Sequence, residues 1–404
     1  MKILFICSTE LQLFNALNLK MHLFLEDTTD IVIQFLKKDT VDFYHRVHDT
    51  GLFRNVCYRL PDVFDLHKYV RCVRTGDFSK SLWEAAKNSA RQLYVKIASQ
   101  KNKNFIDNVK AQIYNFDRLE FSSYQQVFAG GTNDIVINIL KYVRSCNPAC
   151  KLNLYEEGVG SYVLSTLGVG SDLQMDSMYL YEPELAIYDH PSFVRIPKVS
   201  RTDSIFLSVV NQVFDYHPKQ KKITNKIIFF DNPSNPMPDY LTFHELLSKT
   251  LFYVPYKKHL REYKVYLEQR RLFELLAHHA HGKDILVKLH PRTERAYVEK
   301  DYAGDNIQIA DNLSVPWEVF CCNCDVSDNI FVAYDSSAIT SNAFTMAEED
   351  NNAAVICRYA CNEEFHDKYR KFHEKLSRTV TDHKVYLPQS EEQYIETLRT
   401  LFQR

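Results

Sequence analysis

The sequence predicts an α/β protein of two domains, each a largely parallel sheet wound by helices. Three observations carry that expectation. The chain has 404 residues, more than one ordinary core organises, so two domains of roughly 150–200 residues are expected. Short apolar runs alternate with helix-length stretches in both halves, the pattern of parallel strands joined by crossover helices. Glycine is scarce, with only ten residues, and six of them (Gly130, Gly131, Gly158, Gly160, Gly168 and Gly170) follow two of the expected strands. Ligands in open α/β sheets bind at such carboxyl-terminal strand ends.

The elements follow in order. Lys2 to Cys7 reads as a buried strand, and Leu11, Phe14, Leu17 and Leu19 mark the helix after it. Strands are expected at Ile31–Phe35, Gln125–Phe128 and Lys151–Tyr155, with a helix from Asp134. Residues 78–115 have long helical periodicity and predict a helical excursion. The polar, basic stretch Tyr216–Lys222 contains Pro218 and is the expected linker, dividing a first domain, 1–220, from a second, 221–404. In the second half, strands are expected at 226–230, 251–254, 284–289, 306–309, 329–333 and 353–357. Helices are expected at 240–250, 261–280, 315–321 and 337–346. The long helix carries Lys257, Lys258, Arg261, Lys264, Arg270 and Arg271. Such a face suits an anionic lipid or glycan, although a solvated surface is the commoner explanation.

Composition narrows the function. A hydrophobic share of 45% with 25% charged residues fits a soluble globular protein, and a formal charge of -2 gives no electrostatic case for nucleic acid as a partner. The ten cysteines form no framework. Cys321, Cys322 and Cys324 crowd together without the second pair that a zinc site needs, so reduced thiols in a cytoplasmic protein are expected. The opening apolar run is too short for a secretory signal and nothing reaches the ~18 residues of a membrane span.

Four segments can carry chemistry. In Tyr155-Glu156-Glu157-Gly158 two acids leave a strand at a glycine turn, where a carboxylate can act as base on a hydroxyl; two solvated loop acids are the plainer alternative. His290-Pro291-Arg292 closes a strand, with Lys288 on the histidine's face. There the histidine can donate to a leaving phosphate, helped by Lys288 or Arg292, or simply cap a turn. Ser336 and Ser337 precede a helix, where hydroxyls and amides form a phosphate cradle or only an N-cap. Glu318, after Pro316-Trp317, begins another helix and can accept from a ribose or serve in capping. Gly130 and Gly131 end a strand and can line an acceptor pocket or form a plain turn. No Asp-x-Asp, Gly-x-Gly-x-x-Gly or Walker loop occurs, which disfavours a metal-held diphosphate.

Taken in order, acid-acid-Gly, His-Pro and Ser-Ser resemble the shared pattern of the bacterial sialyltransferases. Here these are Glu156-Glu157-Gly158, His290-Pro291 and Ser336-Ser337, with Pro316-Trp317-Glu318 similar to that group's ribose-binding helix start. Ser8-Thr9-Glu10-Leu11-Gln12 resembles the Thr-Pro-x-Gln opening of glycosyltransferase family 52, which includes lipooligosaccharide and capsule sialyltransferases. The capsule polysialyltransferases are similar too. Two departures stand out: Glu-Glu replaces the commoner Asp-Asp, and Glu10 stands where proline is usual.

The resemblance implies a GT-B fold, two facing Rossmann-like domains with a cleft between them. It implies an inverting, metal-independent sialyltransferase without a cofactor, moving sialic acid from CMP-sialic acid to a sugar hydroxyl of a lipooligosaccharide or capsule. The partners are then a nucleotide sugar and a glycan acceptor, in the cytoplasm or, as an alternative, peripherally on the inner face of the plasma membrane. Glu157 would be the base and His290 the phosphate donor. Glu156, Gly158, Lys288, Pro291, Arg292, Glu318, Ser336, Ser337, Ser8, Thr9, Gly130 and Gly131 would bind substrate. The same scaffold with another nonulosonic acid, Kdo or a hexose as donor, or a silent glycan-binding protein, are the alternatives.

Overall fold

The computed structural model describes residues 1–35, 40–59, 109–110, 113–164, 173–190, 192–232, 253–290, 293, 295–310, 315–334, 336, 338–357, 366–380 and 384–403. Two compact units emerge. The first comprises Met1–Glu157, Thr166–Tyr179 and His190–Val194; the second comprises Gly158–Ser165, Leu180–Asp189 and Arg195–Arg404. The segment 216–222 lies inside the second unit, where Lys222 pairs with Asp325 at 3.0 Å.

The first sheet contains β1 (Lys2–Cys7), β2 (Thr28–Ile33), β3 (Asn55–Arg59), β4 (Ile113–Tyr114), β5 (Gln126–Ala129), β6 (Lys151–Tyr155), β7 (Ser177–Leu180) and β8 (Phe193–Arg195). Its order is β4-β3-β2-β1-β5-β6-β7-β8. Pairing is parallel from β3 through β7, whereas β4 runs antiparallel to β3. Residues 3–7 of β1 have no exposed surface, as a central strand covered on both faces requires. Phe5 stacks on Phe128 at 5.2 Å and meets Phe53 edge-on at 6.1 Å. Truncating such a ring costs about 3–5 kcal/mol.

The second sheet contains β9 (Ile227–Phe230), β10 (Ile285–Lys288), β11 (Ile307–Ile309), β12 (Ile330–Ala333), β13 (Ala353–Ile356) and β14 (Lys384–Tyr386). The order β11-β10-β9-β12-β13-β14 is parallel throughout. Ile227, Phe229, Val287 and Leu289 turn to one core with Leu272, Phe273 and Leu276 of the helix Tyr253–His279 and Tyr394 and Leu398 of the helix Glu391–Phe402. The two-residue period sends Phe230 to the opposite face, against Trp317 and Phe331.

The α/β expectation with two helix-wound parallel sheets therefore holds. Two local expectations change. Tyr253 and Val254, expected in a strand, begin the long helix, whose first turn accommodates Pro255 because its amide would lack an intrahelical partner anyway. Ile113 and Tyr114, expected at the end of a helix, form β4, where Tyr114 packs on Tyr58 with ring centres 5.1 Å apart. The remainder of that expected helix (78–108 and 111–112), the helix 240–250, and Gly168 and Gly170 lie outside the described residues. Cys321, Cys322 and Cys324 are buried, and burial pushes each thiol up from its ordinary value, so they serve as core packing. No helix among the described residues is long and apolar enough to cross a membrane.

Candidate active site

In the first unit, register brings three strand ends to one edge. Ile6 pairs with Ala129, and Ala129 with Leu154, so Ser8, Gly130 and Glu157 all leave the sheet on the same side. The chain order reverses between β1 and β5, and such a switch point is where an open α/β sheet forms its binding crevice.

The helix Glu10–His22 starts there. Thr9 is its N-cap, accepting from the Gln12 amide at 3.2 Å. Gln12, only 1% exposed, turns its side chain back. Its Oε1 accepts from the Ser8 N–H at 2.6 Å and its Nε2 donates to Glu157 Oε2 at 2.8 Å. The Ser8 hydroxyl accepts from Gln34 Nε2 at 2.8 Å and from Asn133 Nδ2 at 3.2 Å. Four strand ends are thus joined in one polar chain.

The paired glycines make room for it. A Cβ on Gly130 would lie 2.4 Å from Gln12 Cγ, and one on Gly131 would lie 2.6 Å from Glu157 Oε2. Side chains at these positions would displace both the amide and the carboxylate. Gly158, with φ 112, takes a backbone conformation that favours glycine and turns the chain immediately after the acid.

Burial pushes the Glu157 carboxyl up from 4.5 to about 7, and the Gln12 hydrogen bond opposes that rise. An acid titrating near neutrality suits general-base chemistry. Glu156 behaves differently. It is 3% exposed; its backbone N–H donates to Tyr179 O at 3.0 Å and its carbonyl accepts from Asn15 Nδ2 at 2.8 Å. Tyr155 anchors the strand end from below, its hydroxyl 3.2 Å from both Cys7 Sγ and Ile6 O.

The second unit repeats the topology. Its switch point lies at β9, flanked by β10 and β12, so Asp231, His290 and Ser336 follow adjacent strands at one sheet edge. Asp231, 2% exposed, gathers four donors: the His290 amide at 3.1 Å, the Thr293 hydroxyl at 2.6 Å, the Tyr302 hydroxyl at 2.8 Å and Gln269 Nε2. Burial still raises its pKa. The acid ties the end of β9 to the backbone of His290 and to two further elements.

Glu318 is the second residue of the helix Trp317–Asn323 and is buried, which raises its pKa; the Ser341 hydroxyl and the nearby Lys288 charge act against that rise. Pro316 stands just before that helix, at its N-cap, rather than inside the first turn. Ser336 precedes the helix Ala338–Thr345, its carbonyl accepting from Ile339 N at 3.4 Å. Pro291, Arg292 and Ser337 lie outside the described residues.

The first unit accordingly brings Ser8, Thr9, Gly130, Gly131 and Glu157 together, and the second brings Lys288 to Glu318. Two residues escaped the sequence reading. Gln12 appeared there only inside a motif, without a role. Asp231 was not singled out, although it is the first polar residue after the apolar run 227–230; the strand-end rule that found His290 applies equally to it.

No protein-family model and no curated protein matches the chain. Among solved structures it is similar to the α/β-galactoside α-2,3-sialyltransferase of the luminous marine bacterium Photobacterium phosphoreum. That likeness has 10% identity over 95% of this chain and 98% of that one, with a TM-score of 0.45. It is also similar to Arabidopsis thaliana UGT89C1 complexed with UDP-L-rhamnose, at 7% identity, 98% and 88% coverage and a TM-score of 0.48. A third is the glycosyltransferase VinC in complex with dTDP, at 10% identity, 100% and 95% coverage and a TM-score of 0.39.

Proposed function

We propose that the chain is a GT-B glycosyltransferase that transfers sialic acid from CMP-sialic acid to a sugar hydroxyl of a surface glycan, with inversion and without a metal. The observation that carries this reading is Glu157. It is a half-buried acid at a sheet switch point, pushed up to about 7 and held by a side-chain amide. In the mechanism Glu157 takes the proton from the acceptor hydroxyl as its oxygen attacks the anomeric carbon. The bond to the phosphate oxygen breaks, and CMP leaves with the electron pair.

On the donor side His290 hydrogen-bonds the departing phosphate, and Ser336 and Ser337 hold it at a helix start. Lys288 and Arg292 add positive potential, and Glu318 accepts from the ribose. The order of the motifs along the chain supports these assignments, as does the second unit's switch point, since His290 and Ser336 follow the strands that flank β9.

Thermal unfolding with cytidine, uridine and guanosine nucleotides tests the donor. A nucleotide present far above its dissociation constant adds a few kcal/mol, roughly 3–4 at a hundred- to thousandfold excess. Protection by CMP is expected; protection by uridine diphosphate alone points to a hexose donor. Transfer from CMP-sialic acid to a galactoside should persist in a chelator, and full inhibition would refute the metal-free scheme.

A further inference from the structure

We propose that Gln12 is a positioning residue for the Glu157 carboxylate, holding one carboxylate oxygen so that the acid presents a fixed face to its partner hydroxyl. The inference rests on the reading of Glu157 as the base, but its first test does not require turnover.

The orientation of the Gln12 amide is settled by chemistry. The Ser8 backbone N–H is 2.6 Å from one end of that amide, and a backbone N–H only donates, so this end is the carbonyl oxygen. The other end is therefore NH2, and it lies 2.8 Å from Glu157 Oε2. A flipped amide would set two donors against each other at Ser8 and two acceptors against each other at Glu157. Helix geometry adds rigidity, because the Gln12 amide N–H is held by the Thr9 cap at 3.2 Å. The side chain also lies against Gly130 and Gly131, where a Cβ would come within 2.4 Å and 3.0 Å of it.

The surroundings of Glu157 make this donor matter. Burial raises the acid and the Gln12 bond is what opposes it. On β6, Tyr155 faces the acid and is kept neutral by burial, as is Cys7 on β1, which bonds to that phenol. The helix Glu10–His22 presents the uncharged Gln12, and the loop after β5 presents Gly130 and Gly131. Removing the amide donor therefore disfavours the ionised acid and frees the carboxylate oxygen that Gln12 holds.

Carbon-13 titration of labelled glutamate carboxyls in the full chain, with the Glu157 signal assigned by its loss in Glu157→Gln, reads this directly. In Gln12→Met, which keeps the length of the side chain, the midpoint is expected to rise by roughly one pH unit. In Gln12→Glu, which keeps the acceptor for Ser8, it should rise further as two acids share the site. The corresponding rate profile loses roughly tenfold in kcat at about pH 6.5 and little at about pH 8.5, with KM for acceptor and donor unchanged. Midpoints equal to wild type in both folded variants would overturn the inference. A shifted midpoint in a protein that transfers no sugar from any nucleotide would overturn the proposed function and leave the role of Gln12 standing.

Discussion

Glu157 and Asp231 occupy equivalent places in the two units, each an acid at the carboxyl end of a strand beside a sheet switch point, yet their surroundings differ, and under the proposed function so do their purposes. Four donors converge on Asp231, from a backbone amide, two hydroxyls and a side-chain amide. Its lone pairs are committed to binding protein to protein. At Glu157 the fold supplies the Gln12 amide, the adjacent Gly131 and enough burial to push its pKa up to about 7. Converging donors make an acid a brace, whereas partial desolvation lifts its pKa toward the range that the proposed base needs. Location at a switch point is therefore not enough to identify a catalytic acid; what surrounds the carboxyl has to be read with it.

The largest effects separate the two directly. Glu157→Gln keeps the shape and the contact with Gln12 while removing the base, so turnover should fall by roughly 10²–10⁴-fold in a folded protein. A variant with wild-type turnover would end the reading of Glu157 as base. Asp231→Ala should act on folding instead. Orphaning buried donors there costs about 2–4 kcal/mol, measured as a lowered urea midpoint. An unchanged midpoint would mean that the second acid is no brace.

A smaller effect is expected at Gly131. A methyl group there meets Glu157 Oε2 at 2.6 Å and must push the carboxylate aside. Gly131→Ala should lower kcat by roughly 10–100-fold through misplacement of the base, with little change in thermal unfolding. Equal kcat would show that the carboxylate tolerates displacement, removing the contrast between a placed base and a solvated acid.

Much of this was legible in the chain, for physical reasons that also mark where legibility stops. β6 was expected at Lys151–Tyr155 and is found there, because apolar alternation bounded by a glycine turn admits few other registers. The helix expected from Asp134 starts there, with Asn133 as its N-cap. The strand expected at 251–254 failed because an aromatic and β-branched run ahead of a proline suits a strand locally, while the long helix is set by what packs beyond it. At the site, Gly130, Gly131 and the acid pair Glu156-Glu157 were read from strand-end position, and the choice of Glu157 within the pair came from the resemblance. Gln12 was not given a role, since its value arises from a contact 145 residues away along the chain. Only the parallel register of β1, β5 and β6 creates that contact.

The smallest effect is the most specific to the comparison, because it reads the burial of Glu157 without any substrate. Its folded pKa is about 7 against an ordinary 4.5. Below about pH 4.5 the acid is protonated whether the chain is folded or not, and it costs nothing. Between about 4.5 and 7 the unfolded chain releases a proton that the folded one retains, so stability falls as pH rises, and the loss is complete above about 7. Glu157→Gln lacks this term. The variant should match wild type near pH 4.5 and exceed it at pH 8 by about 1–2 kcal/mol once partial exposure is allowed for. In thermal unfolding that gap is a rise of roughly 2–4 °C. A variant less stable than wild type at pH 8 would mean that the carboxylate is braced like Asp231 and that the contrast between the two acids fails.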